Sequence, residues 1–145
     1  MHDLYLSANL NSSKKNVEKD LDTHLLKGLS IMGVPKNLKK TVFPFNYGRF
    51  EQLNQIVKNN NIGVIKMEVC RNTTPDINFL KRVRKLANKN KIVLLFDECP
   101  TGFRQSYGGL YKTTGVEPDM VIFGKAMGNG YAITAVLGKK EIMEY

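Results

Sequence analysis

Two charged side chains stand at the ends of short apolar runs, where a folded sheet would present them to a ligand. Asp97 follows Ile92–Phe96, and Lys125 follows Asp119–Phe123 and one glycine. A short apolar run that ends in a charge is typical of a strand buried on both faces of a parallel sheet. Ligands of such sheets bind beyond the carboxyl ends of the strands. We therefore expect Asp97 and Lys125 to lie at the same edge of the sheet and to face one site.

A carboxylate and a lysine that converge on one site suit a particular kind of cofactor. The lysine amine can form a Schiff base with an aldehyde, and the carboxylate can hold a protonated ring nitrogen. Pyridoxal phosphate offers both groups. The residue types alone thus favour a pyridoxal-phosphate site that contains Asp97 and Lys125.

The elements that would position these two residues alternate between helices and strands. Apolar residues repeat at helical spacing in Phe50–Val57 and in Ile77–Ala87, and the second helix is expected to have Thr74 as its cap and Pro75 as its first residue. A final helix is expected from Glu141. Five strands are predicted: Thr41–Phe45, Ile62–Met67, Ile92–Phe96, Asp119–Phe123 and Ala132–Leu137. Pro44 places the strand Thr41–Phe45 at an edge of the sheet. The strand Ala132–Leu137 is expected to run back through the sheet. The alternation of helices and strands predicts an α/β fold.

Several short motifs fall in one order at a spacing that resembles a known family. They are Phe96–Glu98, Thr101–Arg104, Gly108–Gly109, Gly115–Asp119 and Gly124–Gly130. In that order they resemble the class III aminotransferases, and most of all the branch that contains glutamate-1-semialdehyde aminomutase. The resemblance implies the large domain of a fold-type I pyridoxal-phosphate-dependent transferase, a mostly parallel sheet with helices on both faces. The chain, residues 1–145, would be the central part of that domain, incomplete and without an internal boundary.

The resemblance also assigns roles to the two charged residues. Lys125 matches the lysine that forms the Schiff base and then shuttles the α-proton of the substrate. Burial of Lys125 would favour the neutral amine that attacks the aldehyde. Asp97 matches the carboxylate that keeps the pyridine nitrogen protonated, so that the ring can accept electrons. Glu98 is expected to support Asp97 or to form an ion pair with Arg104.

Three further residues are weaker candidates for the cofactor site. Cys99 stands where the family usually has a valine that packs on the face of the ring. Glu68 matches the glutamate of a Glu-Pro pair, although Val69 replaces the proline. Asn72 follows the same strand and could face a cofactor oxygen, but a loop cap is the simpler interpretation.

The net charge of +9 raises a different possibility, a nucleotide- or nucleic-acid-binding α/β domain. Leu94–Cys99 resembles the magnesium-binding strand of P-loop enzymes and helicases. Such an enzyme needs a glycine-rich phosphate loop that ends in Lys-Ser or Lys-Thr, and none precedes Asp97. Basic residues on solvated helix faces are the preferred explanation of the charge, so nucleic acid is not the expected partner.

Cysteine and histidine usage indicates neither a disulfide nor a metal site. Cys70 and Cys99 lie in or beside apolar runs and are expected to be buried, reduced thiols, and His2 and His24 belong to no ligand cluster. No apolar run approaches the length of a membrane helix, so we expect a cytoplasmic location without a membrane partner.

The expected function is amino-group transfer between an amino acid or amine and a carbonyl compound, in a homodimer. The alternative is the aminomutase reaction, which moves the amino group within one substrate. The turn Gly128–Tyr131 looks closer to transaminase members, with Ala132 in place of the usual proline. In the family the phosphate-binding loop would precede residue 1 and a partner-subunit threonine would follow Tyr145. The chain alone is therefore expected to be inactive or weakly active and to need a partner.

Overall fold

The computed structural model describes residues 6–11, 31–70 and 74–144, which form two compact units, Met1–Asn59 and Asn60–Tyr145. Asn72, a weaker candidate for the cofactor site, lies outside the described residues. The first unit contains two short 3-10 turns, Ser7–Asn11 and Lys36–Leu38, and the helix α1, Phe50–Asn59. The prediction of a helix from Phe50 is confirmed.

The predicted edge strand Thr41–Phe45 is wrong, because this segment forms no strand. Its main chain is held by a side chain instead of a neighbouring strand. Asn11 donates to the carbonyl of Val42 at 2.7 Å and accepts from the N–H of Lys40 at 2.7 Å. Pro44 has no N–H to offer a sheet ladder. The asparagine amide thus takes the hydrogen bonds that strand pairing would have needed.

The second unit is a four-stranded sheet whose strands lie in sequence order. The strands are β1 (Val64–Met67), β2 (Val93–Asp97), β3 (Met120–Phe123) and β4 (Ala135–Gly138). The first three are parallel, and β4 runs antiparallel to β3. The helices of this unit are α2 (Ile77–Asn90) and α3 (Lys140–Met143). The prediction that the last strand returns through the sheet is therefore confirmed.

Helix α2 crosses from β1 to β2 and packs against β2. It begins later than predicted, because Asp76 and not Thr74 is its cap. The carboxylate of Asp76 accepts a hydrogen bond from the N–H of Phe79 at 3.0 Å, which satisfies one of the free amides of the first turn. At the other end Lys91 adopts a left-handed φ of 55° and stops the helix.

The core of the second unit lies between α2 and one face of the sheet. The buried side chains are Ile65, Met67, Phe79, Leu80, Val83, Ala87, Leu94, Phe96, Val121 and Phe123. In β2 these alternate with half-buried residues, so the expectation of a strand buried on both faces is wrong for β2. The half-buried face is the one that carries Asp97. Among the described residues no helix is long and apolar enough to cross a membrane, and no cluster of three metal-ligating side chains occurs.

A buried carboxylate, Asp119, links the helix and the strands of this unit. Asp119 precedes β3 and accepts hydrogen bonds from the N–H of Leu94 at 2.8 Å and from Arg84 at 2.8 Å. The ammonium of Lys139, which follows β4, lies 2.7 Å from its other oxygen. Burial raises the pKa of Asp119, but the bonds from Leu94, Lys139 and Arg84 outweigh burial and hold the pKa below its usual range. One side chain thus links α2, β2 and the start of β3 to the end of β4.

Candidate functional site

The structure brings Asp97 and Lys125 to the carboxyl edges of two neighbouring parallel strands. Asp97 is the last residue of β2 and lies beside Ile122 of β3. The N–H of Glu98 donates to the carbonyl of Ile122 at 2.9 Å, which continues the pairing past the end of β2. Lys125 follows β3 after Gly124. Both side chains therefore leave the sheet at the edge where parallel sheets bind ligands.

Both oxygens of the Asp97 carboxylate already have donors. The N–H of Cys99 lies 3.2 Å from Oδ1, and the Lys66 ammonium lies 3.1 Å from Oδ2. Burial raises the pKa of Asp97, but the bonds from Lys66 and from the Cys99 N–H outweigh it, and the pKa lies below its usual value. Asp97 is therefore a half-buried carboxylate that stays ionised near neutral pH, as the partner of a cationic group must be.

Cys99 connects the two strand ends. A Cβ atom built on Gly124 would lie 3.3 Å from the Cys99 sulfur and 3.4 Å from Thr134 Cγ2, so the thiol lies against the main chain that leads to Lys125. Burial raises the pKa of the Cys99 thiol, the charge of Asp97 raises it further, and Lys125 and Lys66 oppose this. The charges of Asp97 and Lys125 thus both reach the Cys99 sulfur. The half-buried, free thiol can supply an apolar contact in this space.

Lys125 is exposed, so the burial expected for it is not found. Its backbone has a φ of 50°, in the left-handed region that a residue with a side chain seldom adopts. Such a conformation costs about 1 kcal/mol. It opens a 3-10 turn, Lys125–Met127, which is closed by a bond from the N–H of Gly128 to the carbonyl of Lys125 at 3.0 Å. Strained residues of this kind cluster at functional sites.

Glu98 is fully buried and anchors the loop that follows β2. One oxygen accepts from the N–H of Tyr111 at 2.8 Å, and the other accepts from the hydroxyl of Thr101. Within the described chain the expected ion pair between Glu98 and Arg104 does not form, and the Arg104 side chain is exposed. Glu98 therefore fixes the loop on the core side of the sheet while its neighbour Asp97 faces the other side.

Glu68 leaves the sheet at the same edge, one residue after β1. It is half-buried, and Val69, which stands where the resemblance expects a proline, is fully buried. Burial raises the pKa of the Cys70 thiol, and the charges of Glu98 and Glu68 raise it further.

Lys66 is the residue at this site that the sequence interpretation passed over. It lies in β1 on the face opposite the core, where its side chain is 39% exposed, and it forms an ion pair with Asp97. One feature of the sequence could have revealed it. Side chains of a strand point alternately to its two faces. If Ile65 and Met67 face the core, Lys66 between them must project from the opposite face.

A cavity lies at the other edge of the sheet. It has a volume of about 410 Å³ and is lined by Lys81, Arg84, Lys85, Asn88, Gly115, Val116, Glu117 and Lys139. It is shallow and open, and Arg84 and Lys139 are already paired with Asp119. This cavity lies away from the carboxyl ends of the parallel strands, where sheets of this kind bind ligands, so we take the carboxyl edge as the site.

Comparisons with known proteins show which family the chain resembles. The family model described as aminotransferase class-III matches residues 49–145. The chain is 39% identical over 120 residues to 3-aminobutyryl-CoA aminotransferase of Cloacimonas acidaminovorans, and 38% identical over 123 residues to glutamate-1-semialdehyde 2,1-aminomutase of Nitrosopumilus maritimus. These alignments cover 77% and 81% of this chain but 29% of each relative.

Among solved structures, an omega-transaminase from Sphaerobacter thermophilus matches 99% of this chain and 33% of its own, with a TM-score of 0.76 and 23% identity. At that identity the likeness shows the fold alone. The chain thus spans about a third or less of the proteins that it matches.

Proposed function

Because this chain belongs to the class-III aminotransferase family, we propose that it takes part in transferring an amino group between an amino acid or amine and a carbonyl compound, with pyridoxal phosphate as cofactor. Its fold is that of the fold-type I pyridoxal-phosphate-dependent transferases. The observation that carries the proposal is the placement of an ionised, half-buried Asp97 and of Lys125 at neighbouring strand ends of one sheet edge.

The residues at this edge fit the cofactor by their chemistry. Bound pyridoxal phosphate would supply an aldehyde and a protonated ring that accepts electrons from the substrate carbon. Asp97 can hold the ring nitrogen, since its carboxylate is ionised and directed to the half-buried face. Lys125 can bind the aldehyde, since its amine is accessible. Cys99 lies between the two and is suited to an apolar contact with the ring.

Lys125 is also the residue we assign to proton transfer. An amine that has released the aldehyde can take the α-proton from a substrate and return it at another atom. The exposed position of Lys125 on a short turn, rather than within the strand, leaves its four-carbon side chain room to move between these positions. Glu68, at the end of β1, is the remaining candidate for contact with the cofactor.

The aminomutase reaction is the second candidate, because relatives that carry that name align at 38% identity. Both reactions need the same lysine and the same carboxylate, so Lys125 and Asp97 do not separate them. We favour intermolecular transfer between a small-molecule donor and acceptor. The homodimer is a proposal that rests on the family resemblance. The cytoplasmic location is a proposal that rests on the lack of an apolar run as long as a membrane helix.

Borohydride reduction tests the proposal directly. The natively produced protein would be incubated with pyridoxal phosphate, reduced, digested and examined by peptide mass spectrometry. We expect a pyridoxyl group on the peptide that contains Lys125 and none in a Lys125→Arg variant. A Lys66→Met variant is the matched control, because Lys66 is the lysine paired with Asp97.

The outcomes separate the alternatives. A label that persists in Lys125→Arg and disappears in Lys66→Met would show that the cofactor is attached to Lys66. That result would overturn the roles assigned to Lys125 and Lys66. Absence of any label, together with stabilisation by ATP or ADP, would favour the nucleotide-binding alternative.

A further inference from the structure

The ion pair between Lys66 and Asp97 joins two neighbouring strands on the face of the sheet that is only half-buried. Lys66 lies beside Leu95 in the β1–β2 register, so its side chain reaches along β2 to the carboxylate two residues further on. The Nζ–Oδ2 distance is 3.1 Å, and the side chains are 39% and 23% exposed. The pair is therefore partly shielded from water and close to the site.

This pair changes what Asp97 offers to a ligand. A lone carboxylate would present a full negative charge to a cation. Here the ammonium of Lys66 contacts one oxygen, and the N–H of Cys99 binds the other. The charges of Asp97 and Lys66 largely cancel at a distance. A second cation that approaches Oδ2 is also repelled by the nearby Lys66 ammonium.

We propose that Lys66 is a positioning residue that holds Asp97 ionised and weakens its grip on the protonated ring nitrogen of the cofactor. The inference rests on the proposed function, because it concerns the ring that Asp97 would hold. In this arrangement Lys66 acts on the cofactor through Asp97, and a bound ring nitrogen would share the Asp97 carboxylate with the Lys66 ammonium. Removal of the lysine charge then strengthens that part of cofactor binding which depends on the ring nitrogen.

The test separates ring-nitrogen binding from everything else that holds the cofactor. The dissociation constant of pyridoxal phosphate would be measured by absorbance titration, beside that of its deaza analogue, in which a CH group replaces the ring nitrogen. The proteins are the wild type, Lys66→Met and Lys66→Gln, which remove the charge, and Lys66→Arg, which keeps it. Each is made at its natural length, and the two neutral variants guard against a folding defect in one of them.

We expect the neutral variants to bind pyridoxal phosphate roughly threefold to fivefold more tightly than the wild type, as suits a partly exposed ion pair. Their affinity for the deaza analogue should not change, and Lys66→Arg should resemble the wild type for both molecules. In an Asp97→Asn background the effect of Lys66→Met should vanish.

Three results would overturn the inference and leave the proposed function in place. In the neutral variants, the dissociation constants of the two molecules could change equally, neither could change, or pyridoxal phosphate could bind more weakly. A wild type that binds neither molecule would overturn both. A merely structural role for Lys66 would alter both affinities in parallel, so the ratio of the two dissociation constants distinguishes it.

Discussion

The carboxylate of Asp119 accepts a hydrogen bond from the main-chain N–H of Leu94, 25 positions earlier in the sequence. The same carboxylate binds Arg84 of α2 and Lys139 beyond β4. It is 8% exposed, and Arg84 is shielded with it. A single acid therefore holds the amino edge of the sheet together.

Asp119→Asn should lower the free energy of unfolding by about 1–3 kcal/mol, because a half-buried arginine loses its charged partner while the amide oxygen can still accept from Leu94. Urea denaturation followed by circular dichroism would measure the change. Glu117→Gln is the control, since Glu117 is an exposed acid two residues away and should cost little. Equal losses in the two variants would contradict the role of Asp119.

The stabilising effect of Asp119 should depend on pH. Its folded pKa lies below its unfolded value, so the carboxylate stabilises the fold above the unfolded pKa of about 3.9. That stabilisation is lost as the pH falls through the folded pKa. The difference in unfolding free energy between wild type and Asp119→Asn should therefore be constant from pH 7 to pH 5 and shrink below about pH 4. A difference that grows on acidification would contradict this assignment.

Glu98→Ala should loosen the loop after β2 without unfolding β2 itself. It leaves the buried N–H of Tyr111 and the hydroxyl of Thr101 without their acceptor, at a cost of about 1–3 kcal/mol for each. Hydrogen exchange at the Tyr111 amide should become about 5-fold to 150-fold faster, because 1.36 kcal/mol corresponds to a factor of ten. Thr101→Val, which removes only the hydroxyl, should leave the Tyr111 amide protected.

Gly128→Ala should destabilise the turn that follows Lys125. A Cβ atom there would collide with the carbonyl oxygen of Tyr131, which is main chain and cannot rotate away. We expect a loss of about 1–3 kcal/mol, similar to other steric insertions. Gly63→Ala is the matched control, because nothing lies within 4 Å of the added atom. Comparable melting temperatures for the two variants would show that the turn adjusts.

Lys125→Ala should reduce amino transfer by the natural-length enzyme by about 10²–10⁴-fold, the range typical of a lost proton-transfer group. Single-turnover kinetics with an amino donor would measure it, since the half-reaction isolates the proton-transfer step. Lys140→Ala, at a side chain that is 81% exposed, should be neutral. A Lys125→Ala enzyme that turns over at the normal rate would exclude the proposed role.

The sheet was largely predictable because its strands are short apolar runs. β2 and β3 each begin one residue later than predicted, and the antiparallel return of β4 was also expected. The start of α2 was missed because threonine and aspartate both cap helices, and the choice of Asp76 depends on a hydrogen bond to Phe79 that local sequence cannot reveal.

Longer-range contacts account for the other differences. Thr41–Phe45 has the composition of a strand, yet Asn11, distant in sequence, takes its main-chain bonds. Lys66 was overlooked for a related reason: its partner Asp97 is set by the register of two strands, which the sequence alone does not fix.

The strand order of the sheet has a consequence for how the chain folds. Each strand pairs with the one that precedes it in the sequence, so no strand has to be inserted between two others. During synthesis β2 can dock on β1 once α2 has formed, and β3 and β4 can then be added in turn at a growing edge. Pairing between consecutive strands also keeps the sequence separation of contacts short, which favours fast folding. Asp119 follows Leu94 in the sequence and Lys139 follows β4, so the ion pair between Asp119 and Lys139 can form only after the last strand has been made.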